Sequence, residues 1–130
     1  MRDDFKHASI PDGRKARGQL AEQAAADYLI AQGYEIVERN WRCRSGEIDL
    51  IALQDDVIVI VEVRSRSSYA SSFGTPSESI TVRKMKQVRD TTAVYLHSVR
   101  KSNANIRFDV MAITFERDDS LTLEHIIAAF

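Results

Sequence analysis

Cysteine is nearly absent. Cys43 is the one thiol in 130 residues, which excludes an intramolecular disulfide framework and a multi-cysteine zinc site and fits a reducing, cytoplasmic setting. Long apolar runs are also missing. The longest, 57–61, has the size of a strand, far short of the roughly 20 residues of a membrane span, so no membrane partner is expected. The opening Met1-Arg2-Asp3-Asp4-Phe5-Lys6 has no apolar stretch of the kind a secretory leader carries, and no leader is expected. Glycine (5) and proline (2) are scarce, which excludes a collagen-like chain. With 44% hydrophobic and 28% charged residues, the chain is not a largely disordered one. The length suits a single domain with a core of its own.

Net charge is −1 and says little about partners. Its distribution says more. Between Arg64 and Lys101 stand eight basic residues against Glu78 and Asp90, whereas the first half and the tail are acidic. A phosphate-facing element beside a carboxylate-rich site is one reading, and an ordinary solvated helix face is the other.

Residues 1–13 are polar and unpatterned and read as a flexible N-terminal tail, leaving 14–130 as one domain. Apolar positions at spacings of three and four predict a helix over 14–32, stopped by Gly33. Strands are expected over 34–41, 47–53 and 57–64, with Ser45-Gly46 and Asp55-Asp56 as turns. In the first strand Tyr34, Ile36 and Glu38 should share a face. The third strand is apolar on both faces and should lie inside its sheet. A serine-rich loop follows over 65–79. Thr75-Pro76-Ser77-Glu78 carries the signs of a helix start, and the apolar stripe Met85, Val88, Thr92, Tyr95, Leu96 and Val99 runs on from it, with a break at Thr81 as a variant. Residues 105–115 read as a fourth strand, and 121–127 as a fifth strand or a short helix. The fold class is α/β: a central mixed sheet of four to five strands flanked by helices, in the order α-β-β-β-α-β.

Strand register makes the sequence specific. If Asp55-Asp56 form a two-residue hairpin loop, Gln54 lies opposite Val57, Leu53 opposite Ile58, Ile51 opposite Ile60, and Asp49 opposite Glu62. Opposed residues share a face with Cβ atoms about 4.5–5.5 Å apart. The face is apolar, so two carboxylates there repel at a cost that folding does not require. Such a pair suits Mg²⁺ or Mn²⁺. The alternative is a salt-bridge network in which Arg64, two residues beyond Glu62, or a helix arginine neutralises both acids. Glu22 in the first helix, with Ala25, Ala26 and Leu29 on its side, either faces the sheet as a third acid or is solvated.

Glu47-Ile48-Asp49-Leu50-Ile51 followed by Val61-Glu62-Val63-Arg64 resembles the PD-(D/E)xK nuclease signature. With Ala21-Glu22, Tyr28-Leu29, Gly33-Tyr34, Asn40-Trp41-Arg42, Phe73-Gly74-Thr75-Pro76 and Arg107-Phe108-Asp109-Val110, the chain resembles the YraN-like family of bacterial proteins over roughly residues 17–128. That resemblance implies a restriction-endonuclease-like fold and a Mg²⁺- or Mn²⁺-dependent endonuclease-like activity on DNA. It makes Asp49 and Glu62 the metal ligands, with Glu22, Asp49, Glu62 and Arg64 as the catalytic set. Ala21 stands where the family usually has glycine, and Arg64 where the superfamily has lysine. An arginine can hold a phosphate but not release its proton, so it stabilises charge and is no base.

Arg66, Arg83, Lys84, Lys86 and Arg89 are the candidate nucleic-acid contacts. Glu47 points with Asp49 toward the site. Residues 65–73 are a candidate flap. Arg107 and Asp109 are expected to pair structurally, and Tyr34 and Trp41 to belong to the core. His7, His97 and His125 receive no role, and Cys43 is taken as inert. Two other functions stay open: a nucleic-acid-binding module without cleavage, and an interaction protein whose acids form a salt-bridge cluster. Oligomeric state is open, a homodimer included.

Overall fold

The structure, a computed structural model, describes residues 13–68 and 80–130. The tail over 1–12, the helix-start signal at 75–78 and most of the serine-rich loop lie outside the described residues.

Helix α1 (Arg14–Ala31) presents a face of small side chains, with Ala21, Ala24, Ala25, Ala26 and Leu29 buried. Alanine favours the helix and lets its axis lie close to the sheet. Gly33 follows in the left-handed region at φ +95°. The Tyr34 N–H donates to Leu29 O at 2.9 Å and the Gly33 N–H to Ile30 O at 3.0 Å, the closing pattern that a glycine after the helix allows.

The chain then runs through β1 (Glu35–Cys43), β2 (Gly46–Gln54) and β3 (Val57–Ser67) as an antiparallel meander, crosses over through α2 (Val82–Ser98), and returns as β4 (Asn105–Phe115), parallel to β3. The last strand, β5 (Leu121–Ile126), pairs antiparallel with β4. Spatial order equals chain order, so β3 lies at the centre of five strands. Of the two readings of 121–127, the structure has the strand. Helix α2 begins at Val82, with Thr81 as its cap; the Lys84 N–H donates to Thr81 Oγ1 at 3.1 Å.

The two helices cover opposite faces. On one, Ala25, Ala26 and Leu29 of α1 pack on Leu50, Ala52, Val59, Val61 and Met111. On the other, Val88, Tyr95 and Leu96 of α2 pack on Ile48, Ile51, Ile58 and Ile60. The hairpin register is the one the Asp55-Asp56 turn predicts, from Gln54↔Val57 to Leu50↔Val61.

Strand β1 departs from simple alternation twice. A bulge between Ile36 and Glu38 inserts one residue, so Ile36 packs on the α1 side while Glu38 pairs with Ile51 of the α2 side. The expectation that they share a face fails for that reason. The second departure is at Asn40, whose φ is 51°. Arg39 points to α1, where its Nη1 donates to Gln23 Oε1 at 2.9 Å. Trp41, two residues on, instead stacks edge-on against Tyr95 of α2, centroids 5.2 Å apart. Strict alternation would put both on one side. Its partner strand does the same: Leu50 packs on the α1 side and Ile48 on the α2 side. Asn40 and Asp49 are the residues at this half-turn.

A buried polar cluster ties the far end of the sheet together. Arg107 donates to both oxygens of Asp109, Nε to Oδ1 at 2.9 Å and Nη2 to Oδ2 at 2.8 Å. It also reaches Tyr34 Oη at 2.8 Å and Gln54 Oε1 at 3.1 Å. His125 Nε2 lies 2.8 Å from Asp109 Oδ2, and the Ala128 N–H donates to Oδ1 at 3.0 Å. Burial pushes Asp109 up, but the His125 and Arg107 bonds outweigh it and hold the carboxyl below its usual range. The pairing of Arg107 with Asp109 is structural; His125 belongs to it as well.

Candidate functional site

Glu62 continues the α2-facing row of Ile58 and Ile60 on the central strand, and its side chain is 2% exposed. Its Oε1 lies 3.5 Å from Lys84 Nζ in the first turn of α2. Its Oε2 is buried without a hydrogen-bond partner, a state that costs free energy. Burial first, and the Asp49 charge second, push the Glu62 carboxyl up to about 7, with Lys84 pulling the other way.

Asp49 sits across the seam. Backbone pairing of β2 with β3 stops at Leu50↔Val61, and Asp49 Oδ2 accepts a hydrogen bond from the Val63 N–H at 2.9 Å. The carboxylate thus takes a rung of the ladder for itself. Burial raises its pKa; the Val63 bond offsets part of this, Glu47 adds to it, and Lys84 and Arg64 oppose it.

Glu22 approaches from α1. Its pKa is raised by burial first and by Asp49 next. With its amide nitrogen turned to the acids, Asn40 donates to Glu22 Oε1 at 3.1 Å and to Glu47 Oε2 at 2.9 Å. A left-handed backbone is tolerated best by glycine and asparagine, and here it delivers that amide into the cluster. Glu47 is also 3.4 Å from Arg42 Nε. A cleft of about 130 Å³ opens beside this group, lined by Gln19, Glu22, Gln23, Arg39, Asn40 and Leu50.

Of the residues singled out from sequence, Asp49 therefore lies within reach of the charges of both Glu22 and Glu62. Among the described residues, no three His, Cys, Asp or Glu side chains converge into a cage that could hold a metal by themselves. Arg64 is exposed and acts on Asp49 through its field. The basic group on α2 divides. Arg83 is exposed, Lys86 pairs with Asp90 at 2.6 Å, and Arg89 lies 5.4 and 5.3 Å from the ring centres of Phe108 and Phe130. Arg66 is half-buried just beyond Arg64. Lys84 turns inward to Glu62.

From sequence, Asn40 belonged to a motif of the family resemblance without a role in the site, and Lys84 stood with the outer phosphate contacts. The helix spacing held the second signal: Lys84 precedes Val88 by four and Thr91 by seven, and both are buried.

A model of the uncharacterised protein family UPF0102 matches residues 21–113. The chain belongs to the UPF0102 family. It is 46% identical to a UPF0102 protein of Moorella thermoacetica over 118 residues, covering 90% of this chain and 97% of the relative. A UPF0102 protein of Trichlorobacter lovleyi is 41% identical over 122 residues, 93% of this chain and 94% of the relative. The YraN-like resemblance carried by the motifs is this membership. Among solved structures, a repair endonuclease from Pyrococcus abyssi superposes with a TM-score of 0.41 at 17% identity. The match covers 86% of this UPF0102 chain and 43% of that one, so this chain spans less than half of that enzyme. No helix among the described residues is long and apolar enough to cross a membrane.

Proposed function

We propose that this UPF0102 protein is a Mg²⁺- or Mn²⁺-dependent nuclease acting on DNA. The observation that carries the reading is the orphaned Oε2 of Glu62, buried beside Asp49. Two carboxylates held together against their repulsion, one with an unsatisfied buried oxygen, fit a hard divalent cation that takes oxygen ligands. Asp49 and Glu62 would hold it, and Glu22 would support the site through Asp49. Mg²⁺ keeps several waters and binds by one or two carboxylates plus phosphate oxygens, so two protein ligands suffice. A bound cation supplies polarisation of a phosphoryl oxygen and acidification of a water. Arg64, exposed two residues beyond Glu62, would hold the phosphate and stabilise charge, without acting as a base. Arg83 on α2 and Arg66 near the end of β3 would extend the cationic surface along a DNA backbone.

A second reading rests on the Glu62–Lys84 contact: a salt-bridge cluster in a protein that binds without cleaving. Thermal melting of wild type and Asp49→Asn with and without millimolar Mn²⁺ decides between them. The nuclease reading expects Mn²⁺ to raise the wild-type Tm and leave the variant unmoved, and labelled DNA to be cut by wild type alone. No Mn²⁺ response in wild type, with a large loss of stability in the variant, would favour the salt-bridge cluster.

A further inference from the structure

Lys84 stands in an unexpected place. The first turn of a helix carries the positive end of its dipole and favours acidic residues. Helix α2 has no acidic residue there, and instead sends the Lys84 ammonium to a glutamate that is 2% exposed. The lysine is itself about one-third exposed, at 32%, so its stem runs along the protein while its head bridges the buried acid and solvent. Its field also acts on Asp49. Arg64, at the position where the strand motif would carry a lysine, is exposed and makes no such contact with Glu62.

We infer that Lys84 is a resident counter-ion of the acidic pair, which a divalent cation displaces from Glu62 and which then contacts the substrate phosphate. The inference rests on the metal-dependent reading above and deepens it by moving the site's lysine from the central strand to helix α2. The singly charged ammonium at Glu62 Oε1 is exchanged for a doubly charged cation. The released ammonium remains in the first turn of α2, near the pair, where a phosphate bridging to the cation would arrive. Lysine suits this exchange better than arginine: it is a compact point charge on a flexible stem, not a planar fork fixed to one carboxylate.

Two binding measurements on full-length protein test it, with Lys84→Met and Lys84→Gln as paired variants so that one failing to fold does not decide the matter. In the first, Mn²⁺ alone is titrated and Tm followed. Removing a competing cation should tighten Mn²⁺ about tenfold in both variants, while Arg64→Met should change it by less than about threefold. In the second, a fluorescent phosphorothioate-linked oligonucleotide is titrated with and without saturating Mn²⁺. The Lys84 variants should bind it about as wild type does without Mn²⁺, and about tenfold more weakly with Mn²⁺. Variants that bind Mn²⁺ as wild type does, or that lose DNA affinity equally in both conditions, would show Lys84 to be a plain surface cation and overturn the inference while leaving the metal site standing. Wild type showing no Mn²⁺ response at all would overturn the metal reading itself, and the inference with it.

Discussion

The carboxylate of Asp49 accepts its hydrogen bond from the backbone of Val63, at 2.9 Å, across the point where β2 and β3 cease to pair. One side chain therefore both closes the seam between two strands and brings a charge next to Glu62. Those two jobs can be separated by substitution.

Asp49→Asn keeps a carbonyl oxygen for the Val63 N–H and removes the repulsion. Metal-free, it should melt at or above the wild-type temperature near neutral pH. Asp49→Ala leaves that N–H without its acceptor and should lose about 1–3 kcal/mol relative to Asp49→Asn, read by urea denaturation. Equal stability of the two variants would mean that the Val63 bond contributes nothing.

Glu62 gives a pH dependence with a definite sign. Its carboxyl lies near 7 in the folded protein against an ordinary 4.5. The folded state therefore holds the proton more tightly, and this contribution to stability is complete below about 4.5 and lost as pH rises through about 7. Glu62→Gln should raise the metal-free Tm at pH 8 by several degrees, since about 1 kcal/mol moves Tm by roughly 4 °C in a domain of this size. The gain should shrink toward pH 5. A gain independent of pH would contradict the assignment.

Asp109 behaves oppositely. Its carboxyl is held below the usual range, so it stabilises the fold above that range, and the contribution fades as pH falls through its folded pKa. Asp109→Ala leaves Arg107 and His125 without their shared acceptor and should cost about 3–5 kcal/mol. This would appear in chemical denaturation at neutral pH as a lower midpoint with an unchanged slope. A loss below about 1 kcal/mol would show the cluster to be replaceable.

Much of this was readable in advance where one residue type dominates a local decision. Gly33 ends α1, Asp55-Asp56 set the register that aligns β2 with β3, and the doubly apolar 57–61 run belongs to the central strand. The bulge after Ile36 and the half-turn at Asn40 were not readable, because each depends on two helices competing for the same strand from opposite faces. That competition is a tertiary effect with no local signature. The inward turn of Lys84 was hidden differently. A charge count places it with its basic neighbours, whereas its position four residues before Val88 places it on the packed side. His125 lacked any ligand spacing since its partner, Asp109, is fixed by the pairing of β4 with β5.

Gly46 has φ +152°, and a Cβ built on it would meet the Gln87 amide nitrogen at 2.8 Å. That same nitrogen donates to Ser45 O at 3.3 Å. The tip of the first hairpin is thus locked to α2 through Gln87, three residues along from Lys84. Mechanically, the hairpin turn and the start of the helix form one corner of the molecule. The strand that carries Asp49 and the helix that carries Lys84 are therefore joined at this corner as well as through the charges of the acidic pair.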